Sequence, residues 1–366
     1  MDTRLKIVAL SDACMGYGSP QVPAFLRSLV KYYNAEGIIL EPDDWEKPSK
    51  SEYFSDFTIK RLLSDFHPYT QAGRIDFNRK AAKEIDKLKP DILIIVCTFC
   101  LPALLKSHHK AKFTIYYSIE SITNYGKLDV SMNRYASPRI DLIIFPEENR
   151  ARLDGERCNL LEIPTAILYN SSEPLFANSP IEERNGRIIH SGTIASEHTF
   201  ADYYLKPEMQ RMPIDLFGAI SGTNKDRLEQ NFASLSGSIR YRGHIDIQTL
   251  AKLRREYNYS LAIWSPDKER GYYAPSNKFF ESILDGVPPI TAPHPQHKMI
   301  VDRYKCGIVM EDWSFDAFYE AICHALRICD TPYYEEMVAN CKKAVEQELN
   351  WEIQFKKIKR FLKEVK

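Results

Sequence analysis

Short apolar runs alternate with longer helix-patterned stretches along almost the whole chain, and the alternation pauses and restarts near the middle. Several runs, such as Ile92-Leu93-Ile94-Ile95-Val96, are continuously aliphatic, as strands are when helices cover both faces of a parallel sheet. The pattern restricts the chain to βα units built on parallel sheets. With 366 residues, 44% of them hydrophobic, the chain can fill two cores.

In the first half the expected strands are 5–10, 37–40, 91–96, 113–117, 142–145 and 160–163. Residues 41–76, polar and aromatic with Pro42, Pro48 and Pro68, fit the rhythm poorly and read as an irregular insertion. The second half restarts with strands at 187–190, 214–217, 239–242, 261–263, 289–291 and 308–310. Between the halves, the turn formers Tyr169-Asn170-Ser171-Ser172-Glu173-Pro174 and Asn178-Ser179-Pro180 mark the linker. Asp246 is placed to cap a helix carrying Ile247, Leu250 and Leu253, and Ser314 one carrying Phe318, Ile322 and Leu326. At the end, Trp351, Phe355, Ile358, Leu362 and Val365 repeat at helical spacing and predict one long helix.

Composition removes several function classes. Lys and Arg total 49 and Asp and Glu 49, so no bulk attraction to nucleic acid is expected. The apolar runs fall far below the ~18 residues needed to span a bilayer, and the first strand turns polar at Ser11, which predicts a cytoplasmic protein. Of eight cysteines only Cys97 and Cys100 form a close pair, with no second pair to complete a zinc site, so buried reduced thiols are expected. The nine histidines, His108 and His109 among them, are dispersed without metal-ligand spacing, and no metal is expected.

The segment from Ala274 to Pro288 says most about chemistry. Ser276 can cap and Gly286 can stop a helix of under three turns. Phe279, Phe280, Ile283 and Leu284 fall on one arc, and Lys278, Glu281 and Asp285 on the opposite, outward arc. Free N–H groups at the helix start bind anions, Lys278 adds a full charge, and Glu281 can accept from a ribose diol. The bland alternative is an exposed helix with a weak Lys–Glu pair.

This segment resembles the donor-binding signature of GT-B glycosyltransferases, Lys-x-x-Glu followed by Gly-x-Pro-x-Ile, through Lys278, Glu281, Gly286, Pro288 and Ile290. The resemblance continues in order through Ile188-Ile189-His190-Ser191-Gly192, Ile239-Arg240-Tyr241-Arg242-Gly243-His244, Cys306-Gly307-Ile308-Val309 and Asn350-Trp351. It covers about residues 185–366 well and the first half in general layout. It implies two Rossmann-like domains facing across a cleft: 1–170 for the acceptor, 171–345 for the donor, and 346–366 as a last helix crossing back over both. By the same resemblance Gly192 and Thr193 meet the donor diphosphate. Ser276, Asn277 and Lys278 hold it as it leaves, Glu281 holds the ribose, and Gly243 and His244 lie near the base. Compared with the large family 4, Tyr273 stands where an acidic residue is usual, Thr193 where Arg is, and His198 near the usual Lys. The stereochemical outcome therefore stays open.

In the first half, Ser11-Asp12-Ala13-Cys14-Met15-Gly16-Tyr17-Gly18 resembles the glycine loop that meets donor and acceptor in this fold, although Gln21 replaces the third glycine of the dinucleotide fingerprint. If the enzyme inverts, Asp12 at a strand end is the expected base and Glu120 the other candidate; Gly16, Gly18 and Glu120 form the acceptor side. Lys356, Lys357, Lys359, Arg360, Lys363 and Lys366 surround the last apolar stripe, as a solvated face or as a weak contact with an anionic membrane. The expected function is transfer of a sugar from a nucleoside-diphosphate sugar, a co-substrate with no cofactor beside it, to a hydroxyl of a glycan, glycolipid or polysaccharide. A sugar-nucleotide epimerase, a phosphorylase and a non-catalytic binding protein are the alternatives.

Overall fold

The computed structural model describes residues 4–122, 126–173, 179–235, 237–362 and 365. Pro174 and Asn178 of the expected linker, and Lys363 and Lys366 of the basic set, lie outside them. The chain divides into two compact units, Met1–Tyr169 with Gln354–Lys366, and Asn170–Ile353.

The first unit holds β1 (Lys6–Leu10), β2 (Glu36–Pro42), β3 (Thr58–Leu62), β4 (Ile92–Val96), β5 (Phe113–Tyr117), β6 (Leu142–Phe145) and β7 (Thr165–Ile167). They form one parallel sheet in the order β3-β2-β1-β4-β5-β6-β7. Val8 pairs with Ile38 on one side and Leu93 on the other, so the aliphatic runs become the buried centre. Two expectations fail here. The insertion contains a strand, β3, paired along its length with β2 at the sheet edge. Its residues Thr-Ile-Lys-Arg-Leu are mostly half-exposed, which explains why no apolar run announced it. The last strand of this sheet is 165–167 and not 160–163: Asn159 ends the preceding helix in a left-handed conformation and Ile163 N–H closes a turn onto Leu160 O. Leu161 is left 65% exposed.

The second unit holds β8 (Ile188–Ser191), β9 (Ile214–Phe217), β10 (Arg240–Gly243), β11 (Tyr259–Ala262), β12 (Pro289–Thr291) and β13 (Ile308–Val309), in the order β10-β9-β8-β11-β12-β13. All described pairings are parallel, and the order reverses between β8 and β11, the crevice where such sheets bind ligands. Asp246 caps the Ile247–Arg254 helix as expected, but its inward face is Leu250, Ala251 and Arg254, while Ile247 is 41% exposed. Ser314 Oγ accepts from Ala317 N–H and starts the Phe315–Ile328 helix.

The single last helix is replaced by Trp351–Lys356 and Lys359–Leu362. Bonds from Lys357 N–H to Gln354 O and from Ile358 N–H to Phe355 O tighten the chain between them. The apolar stripe is buried all the same, with Phe355 edge-on to Phe25 and Tyr32 of the first unit. Gln354 Oε1 accepts from Tyr169 N–H at 3.0 Å, and Tyr33 donates its hydroxyl to Leu362 O. Lys357 and Lys359 lie over the rings of Tyr169 and Tyr32, so these two cations rest on the unit itself. No helix of the described residues is long and apolar enough to cross a membrane.

Candidate functional site

At the carboxyl edge of the second sheet, Gly192 and Gly218 directly follow β8 and β9, and Gly243 closes β10. Gly192 donates to Phe217 O at 2.9 Å and Gly218 to Gly243 O at 2.8 Å, so neighbouring strand ends lie backbone against backbone. A Cβ on Gly218 would sit 1.6 Å from Gly192 O, which admits no side chain at that place. At Gly192 the need is different: its φ of +125° is the constraint, since a Cβ there would meet only Lys278 Cε, at 3.7 Å. The turn after Gly192 is braced from below. Thr193 O accepts from His190 Nε2 at 3.3 Å and from Thr199 Oγ1 at 3.1 Å. His190 Nδ1 must then accept from Tyr204 O–H, and burial pushes this imidazole down to about 4, so it is neutral. Thr193 and His244 are exposed at this edge.

The Asn277–Leu284 helix delivers the charged groups. Its apolar arc of Phe279, Phe280, Ile283 and Leu284 is buried. On the polar arc Lys278 keeps 27% of its side chain exposed, but Glu281 and Asp285 turn inward at 12% and 5%, which corrects the expectation of an outward face. Lys278 Nζ lies 2.9 Å from Glu281 Oε2, Arg254 Nη1 reaches the same oxygen at 2.7 Å, and Arg254 Nε reaches Asp285 Oδ2 at 2.8 Å. Arg255 Nη2 takes Asp285 Oδ1 at 2.6 Å. Burial alone would raise the Glu281 pKa, but Lys278 and Arg254 outweigh it and hold the carboxyl down to about 2. Glu281 is therefore a fixed anion at any working pH.

Ser276 departs from its expected role twice. Its side chain makes no cap bond, and its N–H is donated to His297 Nε2 at 3.3 Å. His297 is buried, stacked on Phe279 at 4.0 Å and kept neutral by burial. Its Nδ1–H donates to Thr291 Oγ1 at 2.8 Å, and that hydroxyl donates to Ala262 O at 2.9 Å. An anion at this helix start would thus meet the N–H groups of Asn277 and Lys278, not that of Ser276. Two buried oxygens here, Ser191 Oγ and Asn277 Oδ1, have no partner among the described residues.

In the first unit, Asp12 follows β1 and is half-buried, and Glu120 follows β5 and is exposed. Burial first, and then the Glu120 charge, push the Asp12 carboxyl up to about 6, with Arg74 opposing. The Gly16–Gly18 loop is tied down: Met15 N–H donates to Glu41 Oε2 at 2.7 Å, Lys50 Nζ to Gly16 O at 3.3 Å, and Tyr17 O–H to Pro48 O at 3.0 Å. Cys97 and Cys100 are free, buried thiols, and burial raises both. Asp44, Glu46 and His67 bring one ligand atom each within 4.8 Å of one another, but Lys47 Nζ already sits 2.9 Å from Asp44 Oδ2.

Arg254, Arg255, His190, His297, Gly218 and Arg74 were not singled out by sequence reasoning. One signal pointed toward Arg254: it lies four residues after Leu250, on an arc that must face inward, and Asp285, on the polar arc of the Asn277–Leu284 helix, had no cation assigned to it.

Neither a protein-family model nor a curated protein sequence matches the chain. Solved structures do. Sucrose-phosphate synthase from Thermosynechococcus elongatus superposes with a TM-score of 0.77 at 14% identity, over 99% of either chain. HepE from Anabaena in complex with UDP and glucose gives 0.75 at 12%, over 98% of this chain and 100% of that one. A glycosyltransferase from Rickettsia africae gives 0.70 at 13%, over 99% and 98%. At these identities the likeness is one of fold, and the chain has the GT-B fold of these proteins: two parallel sheets, each flanked by helices.

Proposed function

We propose that the protein is a glycosyltransferase that moves a sugar from a nucleoside-diphosphate sugar to a hydroxyl of a glycan, glycolipid or polysaccharide acceptor, without a divalent metal. The observation that carries this reading is the meeting of Gly192, Lys278 and Glu281 at the switch-point edge of the second sheet. Bare backbone, an ammonium and a helix start converge there, a combination suited to a diphosphate. Negative charge grows on the leaving diphosphate as the glycosidic bond breaks, and Lys278 with the first helical N–H groups opposes it. Glu281 keeps Oε1 for the ribose while its Oε2 is occupied by two cations. HepE, which shares the fold, is described in complex with UDP and glucose, which supports a uridine donor as the first to try.

On the acceptor side, Asp12 is the proton acceptor in an inverting reaction. Its carboxyl, raised to about 6, is ionised at neutral pH yet basic enough to take a hydroxyl proton as the new bond forms. Melting temperatures with UDP, ADP, GDP and their glucose conjugates, each with and without EDTA, test the donor site. A diphosphate at 100 times its Kd stabilises by about 2.7 kcal/mol. A shift that survives EDTA, with donor hydrolysis or transfer under the same conditions, is the expected result. No shift with any nucleotide would overturn the site, binding without turnover would make the protein a binder, and rescue only by metal would overturn the metal-free mechanism.

A further inference from the structure

Arg254 is a buried arginine, with its side chain 2% exposed, on a helix whose other inward residues are Leu250 and Ala251. It does not grip one carboxylate with both prongs, the usual arrangement for this planar fork. It splits the fork, giving Nη1 to Glu281 Oε2 at 2.7 Å and Nε to Asp285 Oδ2 at 2.8 Å, two carboxylates one turn apart on the Asn277–Leu284 helix and its C-cap. Lys278 Nζ comes to the same Oε2 at 2.9 Å. Two cations therefore hold one oxygen of Glu281, and Oε1 takes no bond from the described residues. Arg255 completes the set by holding Asp285 Oδ1 at 2.6 Å, which anchors the far end of the fork.

We propose that Arg254 is a positioning residue for the nucleoside of the donor: by splitting its guanidinium between Glu281 and Asp285 it presents Glu281 Oε1 as a fixed acceptor for the ribose hydroxyls. The inference rests on the donor-site reading above and adds the device that orients the site. The geometry argues against packing alone. Burying such charges costs more than an apolar cluster of the same volume, and a stability role would be served by closing both oxygens of each carboxylate. Here Asp285 is closed on both oxygens and Glu281 on one. Lys278, the third partner of the set, also borders the strand end, its Cε 3.7 Å from where a Cβ on Gly192 would sit.

The test is the ratio of dissociation constants for 2′,3′-dideoxy-UDP over UDP, measured by calorimetry, with the ADP and GDP pairs run alongside. Loss of hydrogen bonds to a charged acceptor predicts a ratio of about ten to a hundred in the parent. Arg254→Met should bring it to within about threefold of unity, because the freed carboxylate no longer points at the ribose. Arg254→Lys reaches only one carboxylate, should fold where Met does not, and should give a ratio severalfold below the parent. A general loosening of the unit would weaken UDP and its dideoxy form alike and keep the ratio at the parent value. That result in the Arg254 variants overturns the inference. A parent ratio near unity overturns the ribose role of Glu281 with it, whereas a parent that binds no nucleoside diphosphate overturns the donor site itself.

Discussion

Each unit places a carboxylate beyond its strand ends, and the two meet opposite electrostatics. Asp12 is half-buried, its strongest charged neighbour is another carboxylate, Glu120, and its acidity falls toward neutrality. Glu281 is half-buried as well, yet two cations touch it at 2.7 and 2.9 Å and it stays ionised. Burial acts in the same direction on both. What differs is whether a cation is in contact, and contact decides the sign. The first arrangement suits a group that exchanges a proton, the second a group that holds a charge.

Removing Gln354–Lys366 separates the units most drastically. Phe355, Ile358 and Leu362 are buried, at about 1.5–3 kcal/mol each, which together approaches the stability of an ordinary domain. Truncation after Ile353 should unfold the first unit and leave a second-unit transition in calorimetry, with nucleotide binding retained by the part that stays folded. A melting profile like that of the full chain would deny the segment its place in the first unit.

Asp12→Asn attacks the proton-exchanging side. Loss of a positioned base costs about 100- to 10,000-fold in turnover. In the parent the carboxylate must be ionised, so the rate should rise with pH through about 6 to a plateau. Glu281, held near 2, contributes no limb in the working range. A profile flat from pH 5 to 8, or a variant as fast as the parent, removes Asp12 from the chemistry.

Lys278→Ala should reduce turnover several-hundredfold, about 3–4 kcal/mol, with donor affinity changed far less, because the charge it opposes grows in the transition state. Equal losses in binding and turnover would show ordinary ground-state contact instead. Glu281→Gln should act the other way, weakening donor and free nucleotide alike by about tenfold while saturated turnover largely persists. The smallest effect belongs to Glu120→Gln. Removing a like charge should move the Asp12 limb downward by less than about one pH unit, and an upward or absent shift would remove the Glu120 coupling.

Much of the fold was legible because its signals are local. The runs 113–117, 142–145, 214–217 and 289–291 became β5, β6, β9 and β12 without change of boundary. A strand buried on both faces must be aliphatic throughout, and such runs are visible in a short window. The edge strand β3 carries no such requirement and was hidden among polar residues, while at 160–163 an apolar run forms a turn with Leu161 exposed. The site was legible in the same measure. The spacing of Lys278 and Glu281 fixes a neighbour pair on any helix.

The occupant of Ser276 N–H was not readable in this way, since His297 lies 21 residues away. Arg254 is 27 residues from Glu281 and 31 from Asp285, and only the return of the chain through β11 brings their helices together. By itself the sequence determined periodicity, and through it the βα rhythm, the two sheets and the amphipathic arcs, because those follow from each residue's position relative to its near neighbours. Tertiary structure alone decided which arc is wet, which oxygen of Glu281 is free, and whether Asp12 or Glu281 holds its proton. Those outcomes depend on charges a few ångströms away through space, and chain separation carries no information about such distances.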